Sequence, residues 1–430
     1  MPATTAVDTV VIGAGHAGLA MSRCLTGRSV EHLVLERGRT AERWRTARWD
    51  SFRLLTPNWM TRLPGWAYSG PDPDGYMTAG ELVAYLECYA RSFAAPILER
   101  TTVLQVRQTG GGYLVCTDRG AWTAANVVVA TGYHVRAAVP AFASDLPPGL
   151  VQITPDRYRC PADLPDGPVL VVGASSTGVQ IADELLTAGR PVVVAVGGHT
   201  RLPRRYRGRD VLWWLDRLGT LGRTLDELPD PARALREPSL QLSGTGRTLD
   251  LRILHERGAL LTGRMLGSEA GFACFADDLR AVTAAADVRL RRVLSRIDAY
   301  AASTPELDPT VTAGAPQFHP TVAAEAPELA PIAAVLPGDG PARLDLRRFA
   351  AVVWATGLRP GYPWLQVPVL DHTGRILHRR GVTAAPGLYA LGLRFQHRRD
   401  ATFIDGARHD AAYLADHLTR RRPARTRAAS

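Results

Sequence analysis

The sequence predicts an α/β fold built from two similar units, because one local arrangement occurs twice. In each copy an apolar strand leads into a turn of small residues, and a helix and a second apolar strand follow. The first copy starts at Val10 and the second at Val169. The 430 residues are enough for two or three domains of about 150 residues each. Apolar residues make up 46% and charged residues 21%, which excludes a disordered or collagen-like chain.

The first copy has the pattern of a dinucleotide-binding βαβ unit. Its turn, 13–18, reads Gly-Ala-Gly-His-Ala-Gly, and its second strand, 32–35, ends at Glu36. The first glycine permits a tight turn, the second lets a pyrophosphate approach the backbone, and the third lets the helix pack on the strand. The helix N-terminus then faces the pyrophosphate, and the acid binds the ribose. The predicted cofactor contacts are Gly13, Gly15, His16, Ala17, Gly18 and Glu36.

The second copy differs from the first at the end of its second strand. Its turn, 173–178, reads Gly-Ala-Ser-Ser-Thr-Gly, and Val196 stands where the first copy has Glu36. An acid would repel a 2′-phosphate, whereas its absence beside the arginines of 201–205 suits one, so the pattern favours NADPH over NADH. Alternatively, these arginines lie on a solvated loop, and which of them contacts the phosphate stays open. The predicted contacts are Gly173, Ser175, Ser176, Thr177, Gly178, Arg201, Arg204 and Arg205.

Two apolar strands, 127–129 and 351–354, are each followed by Ala-Thr-Gly. Each suits a buried parallel strand of a nucleotide-binding domain. We therefore expect two Rossmann-like dinucleotide-binding domains, with the second inserted into the first. The predicted boundaries give 1–160 and 344–430 to the first domain, the latter with a basic C-terminal tail, and 161–343 to the second.

Composition argues against several other classes of protein. The net charge is +10, but there is no lysine and the arginines are spread along the chain, so we expect no nucleic-acid partner. No apolar run approaches the roughly 18 residues of a membrane span, and no export signal is recognised. The five scattered cysteines form no C-x-x-C pair, which argues against a disulfide framework, a zinc site or a redox dithiol. A cytoplasmic monomer or homodimer without metal is expected.

Together these motifs resemble those of the class B flavin-dependent monooxygenases, which include flavin-containing and Baeyer–Villiger monooxygenases. The resemblance covers nearly the whole chain and also rests on 42–44 (Glu-Arg-Trp), 55–57 (Leu-Thr-Pro) and the helix start at 405–406 (Asp-Gly). It implies FAD in the first domain, NADPH in the second, and a small-molecule substrate and O2 between them. The further cofactor contacts that it implies are Arg37, Arg43, Trp44, Thr56, Val103, Ala130, Thr131, Gly132, Thr356, Gly357 and Asp405.

The resemblance implies oxygen transfer from a C4a-(hydro)peroxyflavin to nitrogen, to sulfur or into a ketone. One departure is that the stretch comparable to the signature F-x-G-x-x-x-H, 142–155, has no histidine. That histidine is thought to couple NADPH binding to domain motion. The alternatives are therefore an NADPH-dependent flavoprotein reductase that passes electrons to a partner, and a nucleotide-sensing or scaffold protein without activity. A disulfide reductase is excluded by the missing C-x-x-x-x-C after the first turn.

Asn58 is the one candidate catalytic side chain. It follows 55–57, a segment that by resemblance passes near the flavin. Its amide could hydrogen-bond a peroxide or a bound water. The alternative is an ordinary turn asparagine beside Pro57.

Overall fold

Two β-sheets organise the chain, whose computed structural model describes residues 4–133, 136–304, 329–336 and 338–421. The first sheet has strand order β23-β6-β7-β8-β1-β2-β5, and β24 also pairs with β8. Its strands are β1 (Thr4–Ile12), β2 (His32–Leu35), β5 (Ile97–Leu98), β6 (Val103–Thr109), β7 (Gly112–Thr117), β8 (Gly120–Val129), β23 (Leu365–Gln366) and β24 (Leu388–Ala390).

The second sheet is entirely parallel and has strand order β10-β21-β11-β12-β17. Its strands are β10 (Val151–Ile153), β11 (Val169–Val172), β12 (Val192–Ala195), β17 (Leu260–Thr262) and β21 (Ala351–Trp354). All residues of β11, β12 and β21 are buried. They therefore read as continuous apolar runs, as expected for strands covered on both faces.

The two sheets repeat one arrangement, which confirms the predicted α/β fold. In the first, β1 lies between the parallel strands β2 and β8. In the second, β11 lies between the parallel strands β12 and β21. Each unit thus pairs its first strand with the strand that precedes Ala-Thr-Gly.

The strand pairing places the boundaries between the two units at other residues than the sequence predicted. The prediction placed 1–160 and 344–430 in the first domain and 161–343 in the second. However, β10 and β21, at 151–153 and 351–354, both pair in the second sheet. The reason is that the Ala-Thr-Gly strand belongs to each nucleotide-binding unit, so the second unit includes its own copy. Of the basic tail, 422–430 lies outside the described residues.

The α-helices cover the sheets and connect them. One of these helices begins at Ala79, after a capping box formed by Thr78 and Glu81. The last helix packs against the first, on one face of the first sheet. The helices are α1 (His16–Thr26), α2 (Glu42–Thr46), α3 (Ala79–Ser92), α4 (Ser176–Thr187), α5 (Val211–Arg217), α6 (Pro231–Leu235), α7 (Leu251–Glu256), α8 (Leu279–Ser303) and α9 (Ile404–Arg421).

Shorter elements fill the connections. The remaining strands are β3 (Arg62–Leu63), β4 (Trp66–Ala67), β9 (Arg136–Ala137), β13 (Thr200–Arg201), β14 (Arg205–Tyr206), β15 (Arg209–Asp210), β16 (Leu240–Gln241), β18 (Met265–Glu269), β19 (Phe272–Phe275), β20 (Arg343–Asp345) and β22 (Leu358–Arg359). The 3-10 turns are Asn58–Met60, Ala141–Asp145, Pro161–Asp163, Leu225–Glu227, Ile332–Ala334 and Leu346–Arg348. Within the four described ranges, no helix combines the length and the apolar character needed to cross a bilayer.

Candidate active site

The first glycine-rich turn lies where β1 meets α1, and two of its glycines allow close packing. A Cβ atom on Gly18 would lie 1.8 Å from the carbonyl oxygen of Gly13, and one on Gly13 would lie 2.7 Å from that of Ala130. Gly13 also has a φ of +106°, which side chains rarely adopt. A Cβ atom on Gly15, in contrast, would meet nothing within 4 Å. The backbone at Gly15 is therefore open to a ligand.

The start of α1 offers unsatisfied backbone donors beside this opening. Gly15 is the N-cap residue, and no side chain in the described part of the chain caps the helix. Next to it, the buried Glu36 carboxylate accepts hydrogen bonds from the backbone N–H groups of Ala14, at 2.8 Å, and Gly38, at 3.0 Å. These bonds hold Glu36 against the turn, the position that the ribose prediction requires.

Two buried polar atoms near this turn support the presence of a polar ligand. The Nε2 atom of His16 and the Oγ1 atom of Thr131 have no hydrogen-bond partner among the described residues. Burial lowers the pKa of His16 to about 4, so its ring is neutral at pH 7. Ala17 is buried, and a Cβ atom on Gly392 would contact its methyl group at 3.3 Å. Buried polar atoms normally find a partner, so a ligand that supplies one fits here.

An arginine-rich segment contributes both exposed and buried cations. Arg37 is exposed, whereas burial and the nearby Arg37 charge lower the pKa of Arg43. Arg48, which was not predicted from the sequence, stacks on the ring of Trp44 with its guanidinium carbon 4.6 Å from the ring centre. Burial lowers the pKa of Arg48 to about 10, so it stays charged at neutral pH. The one sequence signal for Arg48 is its position in an arginine-rich segment.

The remaining residues implied by the resemblance are spread over several elements. Val103 begins β6 in the core of the first sheet, and Thr56 is half-buried ahead of the 3-10 turn at 58–60. Gly132 and Gly357, which end the two Ala-Thr-Gly segments, have φ values of +83° and +93°. The Thr356 hydroxyl donates to the carbonyl oxygen of Ala138 at 2.9 Å.

Asp405 lies at the start of α9, where it anchors an ion-pair cluster. Its buried carboxylate accepts two hydrogen bonds from Arg62, at 2.8 and 2.7 Å, and one from Arg408, at 2.7 Å. This cluster joins the helix start to β3, so Asp405 is oriented before any ligand binds. The distant Arg62 gave no sequence signal for this pairing.

The side chain of Asn58 hydrogen-bonds to two backbone groups. Its side-chain amide donates to the carbonyl oxygen of Asp72 at 2.9 Å and accepts from the N–H of Met77 at 2.9 Å. The residue is 5% exposed. These bonds fasten the 72–77 loop onto the 3-10 turn, which corrects the proposed catalytic role in favour of the turn-asparagine alternative.

The second glycine-rich turn reproduces the first between β11 and α4. A Cβ atom on Gly178 would lie 1.9 Å from the carbonyl oxygen of Gly173, and one on Gly173 would lie 2.4 Å from that of Ala355. Ser175 is the N-cap residue of α4, and its side chain makes no capping bond. The half-buried Thr177 lies in the first turn of the helix. The donors at this helix start are therefore also available to an anion.

Ser176 and Gln241 fasten the second turn to the strand β16. The Ser176 hydroxyl donates to the carbonyl oxygen of Leu240 at 2.8 Å and accepts from the N–H of Leu242 at 2.9 Å. The Gln241 amide donates to the carbonyl oxygen of Ala174 at 2.6 Å. Ser176 thus has a structural role, and nothing in the sequence pointed to Gln241.

Two of the three arginines chosen for the 2′-phosphate lie in buried ion pairs. Arg201 pairs with Asp287 at 2.7 Å and with Asp250 at 3.1 Å, and Arg204 pairs with Asp210. Their side chains are 2% and 1% exposed. If these arginines bound a phosphate, their aspartate partners would be left buried without a counter-charge. The predicted role of Arg201 and Arg204 in phosphate binding is therefore corrected to a structural role.

Arg205 differs from these two because it is exposed. It lines a cavity of about 370 Å³ together with Arg53, Tyr76 and three aspartates, which are Asp72, Asp74 and Asp210. The 244–246 segment of the second unit closes the other side. Arg205 is therefore the one member of the trio that is available to a ligand, and this cavity lies where the two units meet.

Comparison with known proteins agrees with this architecture. The family model described as pyridine nucleotide-disulphide oxidoreductase matches residues 10–215. An uncharacterized CzcO-like oxidoreductase of Geobacillus kaustophilus is 31% identical over 96% of this chain and 98% of its own. A probable indole-3-pyruvate monooxygenase of Arabidopsis thaliana, YUCCA1, is 30% identical over 46% of this chain and 49% of its own.

A solved structure extends the agreement in fold to nearly the full length. The flavin-containing monooxygenase from Stenotrophomonas maltophilia superposes with a TM-score of 0.64 over 97% of this chain and 99% of its own, at 19% identity. The resemblance inferred from the sequence is thereby confirmed. The chain belongs to the CzcO-like family of oxidoreductases and has the two-domain fold of the class B flavin-dependent monooxygenases.

Proposed function

We propose that this protein is a monooxygenase that uses FAD and NADPH to oxygenate a small molecule. The observation that carries the proposal is the difference between two otherwise matching turns. Both have the same close glycine contacts and an uncapped helix start. Beside the first lies the Glu36 carboxylate, whereas the equivalent position beside the second is the buried, neutral Val196. The first suits a free ribose and the second a phosphorylated one.

The first turn has the features that FAD requires. The N–H groups at the start of α1 would hold the pyrophosphate, and Glu36 would bind the adenosine ribose. The Nε2 atom of His16 and the hydroxyl of Thr131, which have no partner among the described residues, would hydrogen-bond to polar groups of the bound FAD. Asp405, fixed by Arg62, would accept from a flavin-side hydroxyl. When bound, FAD would supply the redox chemistry, namely hydride acceptance from NADPH and reaction with O2.

The second turn and Arg205 support NADPH as the electron donor. The start of α4 would hold the pyrophosphate, with the Ser175 hydroxyl as an additional donor. Arg205 would pair with the 2′-phosphate, since it is exposed and makes no ion pair within the described part of the chain. The bond from Gln241 to Ala174 and the bond from Ser176 to Leu240 keep the turn in position.

The substrate is proposed to bind between the two units. Asn58 holds the 72–77 loop at this junction through its bonds to Asp72 and Met77. The five cysteines are all unpaired, which agrees with a reducing, cytoplasmic environment. A screen of amines, sulfides and ketones distinguishes among nitrogen, sulfur and ketone substrates.

Anaerobic reduction followed by rapid mixing with O2 tests the proposal. The FAD-loaded protein is reduced with NADPH or with NADH and then mixed with O2 without substrate. We expect faster reduction by NADPH, and then an absorbance band distinct from oxidised and reduced flavin that persists while NADP⁺ is bound. Protein reduced with dithionite, with and without added NADP⁺, is the control for the role of the nucleotide.

Immediate return to oxidised flavin with release of hydrogen peroxide would contradict oxygenation. It would favour the reductase alternative, in which electrons pass to a partner. Failure to retain FAD or to be reduced would instead favour a protein that keeps the fold without catalysis.

A further inference from the structure

A second cavity, of about 600 Å³, lies on the first unit beside α9. The chain between β23 and β24 forms one wall with Leu377, His378, Arg379 and Arg380, and α9 forms the other with Tyr413 and His417. Among the described residues, no acidic side chain lines it. The cavity is therefore rich in cations and imidazoles.

Arg380 is held at this wall by its backbone and by two rings. Its φ is +52°, and it precedes Gly381, whose φ is +85°. Its guanidinium carbon lies 4.4 Å from the ring centre of Tyr413, and Nη2 donates to Nδ1 of His397 at 3.2 Å. The Nε atom is buried without a hydrogen-bond partner in the described structure. Arg380 thus has a fixed position and unused hydrogen-bonding capacity.

The positive charge of this wall is not cancelled locally. Neither Arg379 nor Arg380 forms an ion pair with any described carboxylate, and Arg379 is exposed. The buried Asp410 acts on Arg380 only electrostatically, and its pKa is raised to about 7 by burial and by Asp400. It therefore carries only part of a negative charge near neutral pH.

The imidazoles add hydrogen-bonding groups. His378 accepts at Nδ1 from the N–H of Gly381, at 3.3 Å, so its Nε2 atom carries the proton and can donate. His417 contacts the Tyr389 hydroxyl through Nδ1 at 3.3 Å. Two guanidinium groups and two imidazoles thus border one cavity, which matches the donors that recognise phosphate and carboxylate groups.

This cavity is separate from both glycine-rich turns. None of the residues that line it belongs to 13–18 or 173–178. Tyr413 follows Asp405 by two turns of α9, about 12 Å along the helix axis. A ligand here would therefore not compete with a nucleotide held at either helix start.

We propose that this cavity binds a small anion that carries phosphate or carboxylate groups. Arg379 and Arg380 provide the charge, and His378 and His417 provide further contacts. The site does not depend on the proposed monooxygenase activity, because it uses no residue assigned to FAD, NADPH or the substrate.

Calorimetric titration of the FAD-loaded protein tests this site. Saturating NADP⁺ is included so that neither helix start is free to take the probe, and pyrophosphate and citrate are titrated separately. We expect at least one probe to bind saturably to wild type. Arg379→Gln and Arg380→Gln should each weaken it tenfold or more. Arg379 is exposed, so that variant remains informative if Arg380→Gln folds poorly.

Arg375→Gln is the matched control, since it removes a nearby exposed arginine that lies outside the cavity. It should leave the affinity unchanged. Binding of pyrophosphate alone would identify a phosphate ligand, and binding of citrate alone a carboxylate ligand. No saturable binding of either, or equal binding by wild type and the Arg379 and Arg380 variants, would overturn the proposal.

Discussion

Gly178 packs so closely on Gly173 that a Cβ atom on it would lie 1.9 Å from the Gly173 carbonyl oxygen. The corresponding distance between Gly18 and Gly13 is 1.8 Å. The first glycine of each turn also packs closely on the alanine of an Ala-Thr-Gly segment. Gly13 packs on Ala130, and Gly173 packs on Ala355. The two turns are therefore equivalent in packing, and their ligands differ because of the side chains around them.

Gly15→Ala should separate cofactor binding from folding. Gly15 has φ −82° and ψ −176°, which alanine adopts, and an added Cβ atom meets nothing within 4 Å. The apoprotein should therefore keep its melting temperature. A pyrophosphate approaching the backbone would meet the new methyl group, so the affinity for FAD should fall at least tenfold. Equilibrium titration with FAD measures this, and unchanged affinity would remove the pyrophosphate from this turn.

Arg204→Gln should affect stability, whereas Arg205→Gln should affect NADPH binding. Loss of the Arg204 charge leaves Asp210 buried without its partner and should lower the free energy of unfolding by about 3–5 kcal/mol. Loss of the exposed Arg205 should leave stability nearly unchanged but raise the KM for NADPH about tenfold, with little change for NADH. Denaturant unfolding and flavin-reduction kinetics check the pair. An equal rise in KM for both nucleotides would exclude 2′-phosphate recognition by Arg205.

Asp410 should make the protein less stable as the pH rises. Its pKa in the folded protein is raised to about 7 by burial and by Asp400, above the unfolded value of about 3.9. Between these values the folded state binds more protons, so the free energy of unfolding falls from about pH 4 to about pH 7. Asp410→Asn should therefore raise the melting temperature more at pH 8 than at pH 5. An equal shift at both pH values would show that the carboxyl does not titrate in this range.

Asn58→Ala should lower the stability of the protein. The substitution leaves the N–H of Met77 and the carbonyl oxygen of Asp72 without their partner, which should cost about 1–3 kcal/mol in the free energy of unfolding. Thermal unfolding and NADPH-dependent flavin reduction are measured on the same sample. Unchanged stability with loss of activity would restore the catalytic role that the sequence suggested.

The turns and buried strands could be predicted because their chemistry is local. Glycine spacing, apolar runs and the acid at Glu36 all lie within about 25 consecutive residues. The hairpin of β6 and β7 and the helix α3 are local in the same sense. The membership of β21 in the second sheet was missed because pairing of Ala351–Trp354 with Val169–Val172 joins segments about 180 residues apart.

Side-chain pairing could not be predicted for a related reason. Arg201, Arg204 and Arg205 look alike in sequence, and only the fold buries the first two beside Asp287 and Asp210. The bond of Gln241 to Ala174 depends on a strand that returns from elsewhere in the chain. Three-dimensional packing therefore decided which polar residues are structural and which face a ligand.

The most direct test of two separate nucleotide sites compares Gly18→Ala with Gly178→Ala. FAD content per chain and NADP⁺ affinity are measured on each variant. Gly80→Ala in α3 is the control, because a Cβ atom there meets nothing within 4 Å. The result expected is loss of FAD from Gly18→Ala, and retained FAD with at least tenfold weaker NADP⁺ binding for Gly178→Ala. Retention of FAD by Gly18→Ala, or its loss from folded Gly178→Ala, would contradict the assignment of FAD to the first turn and NADPH to the second.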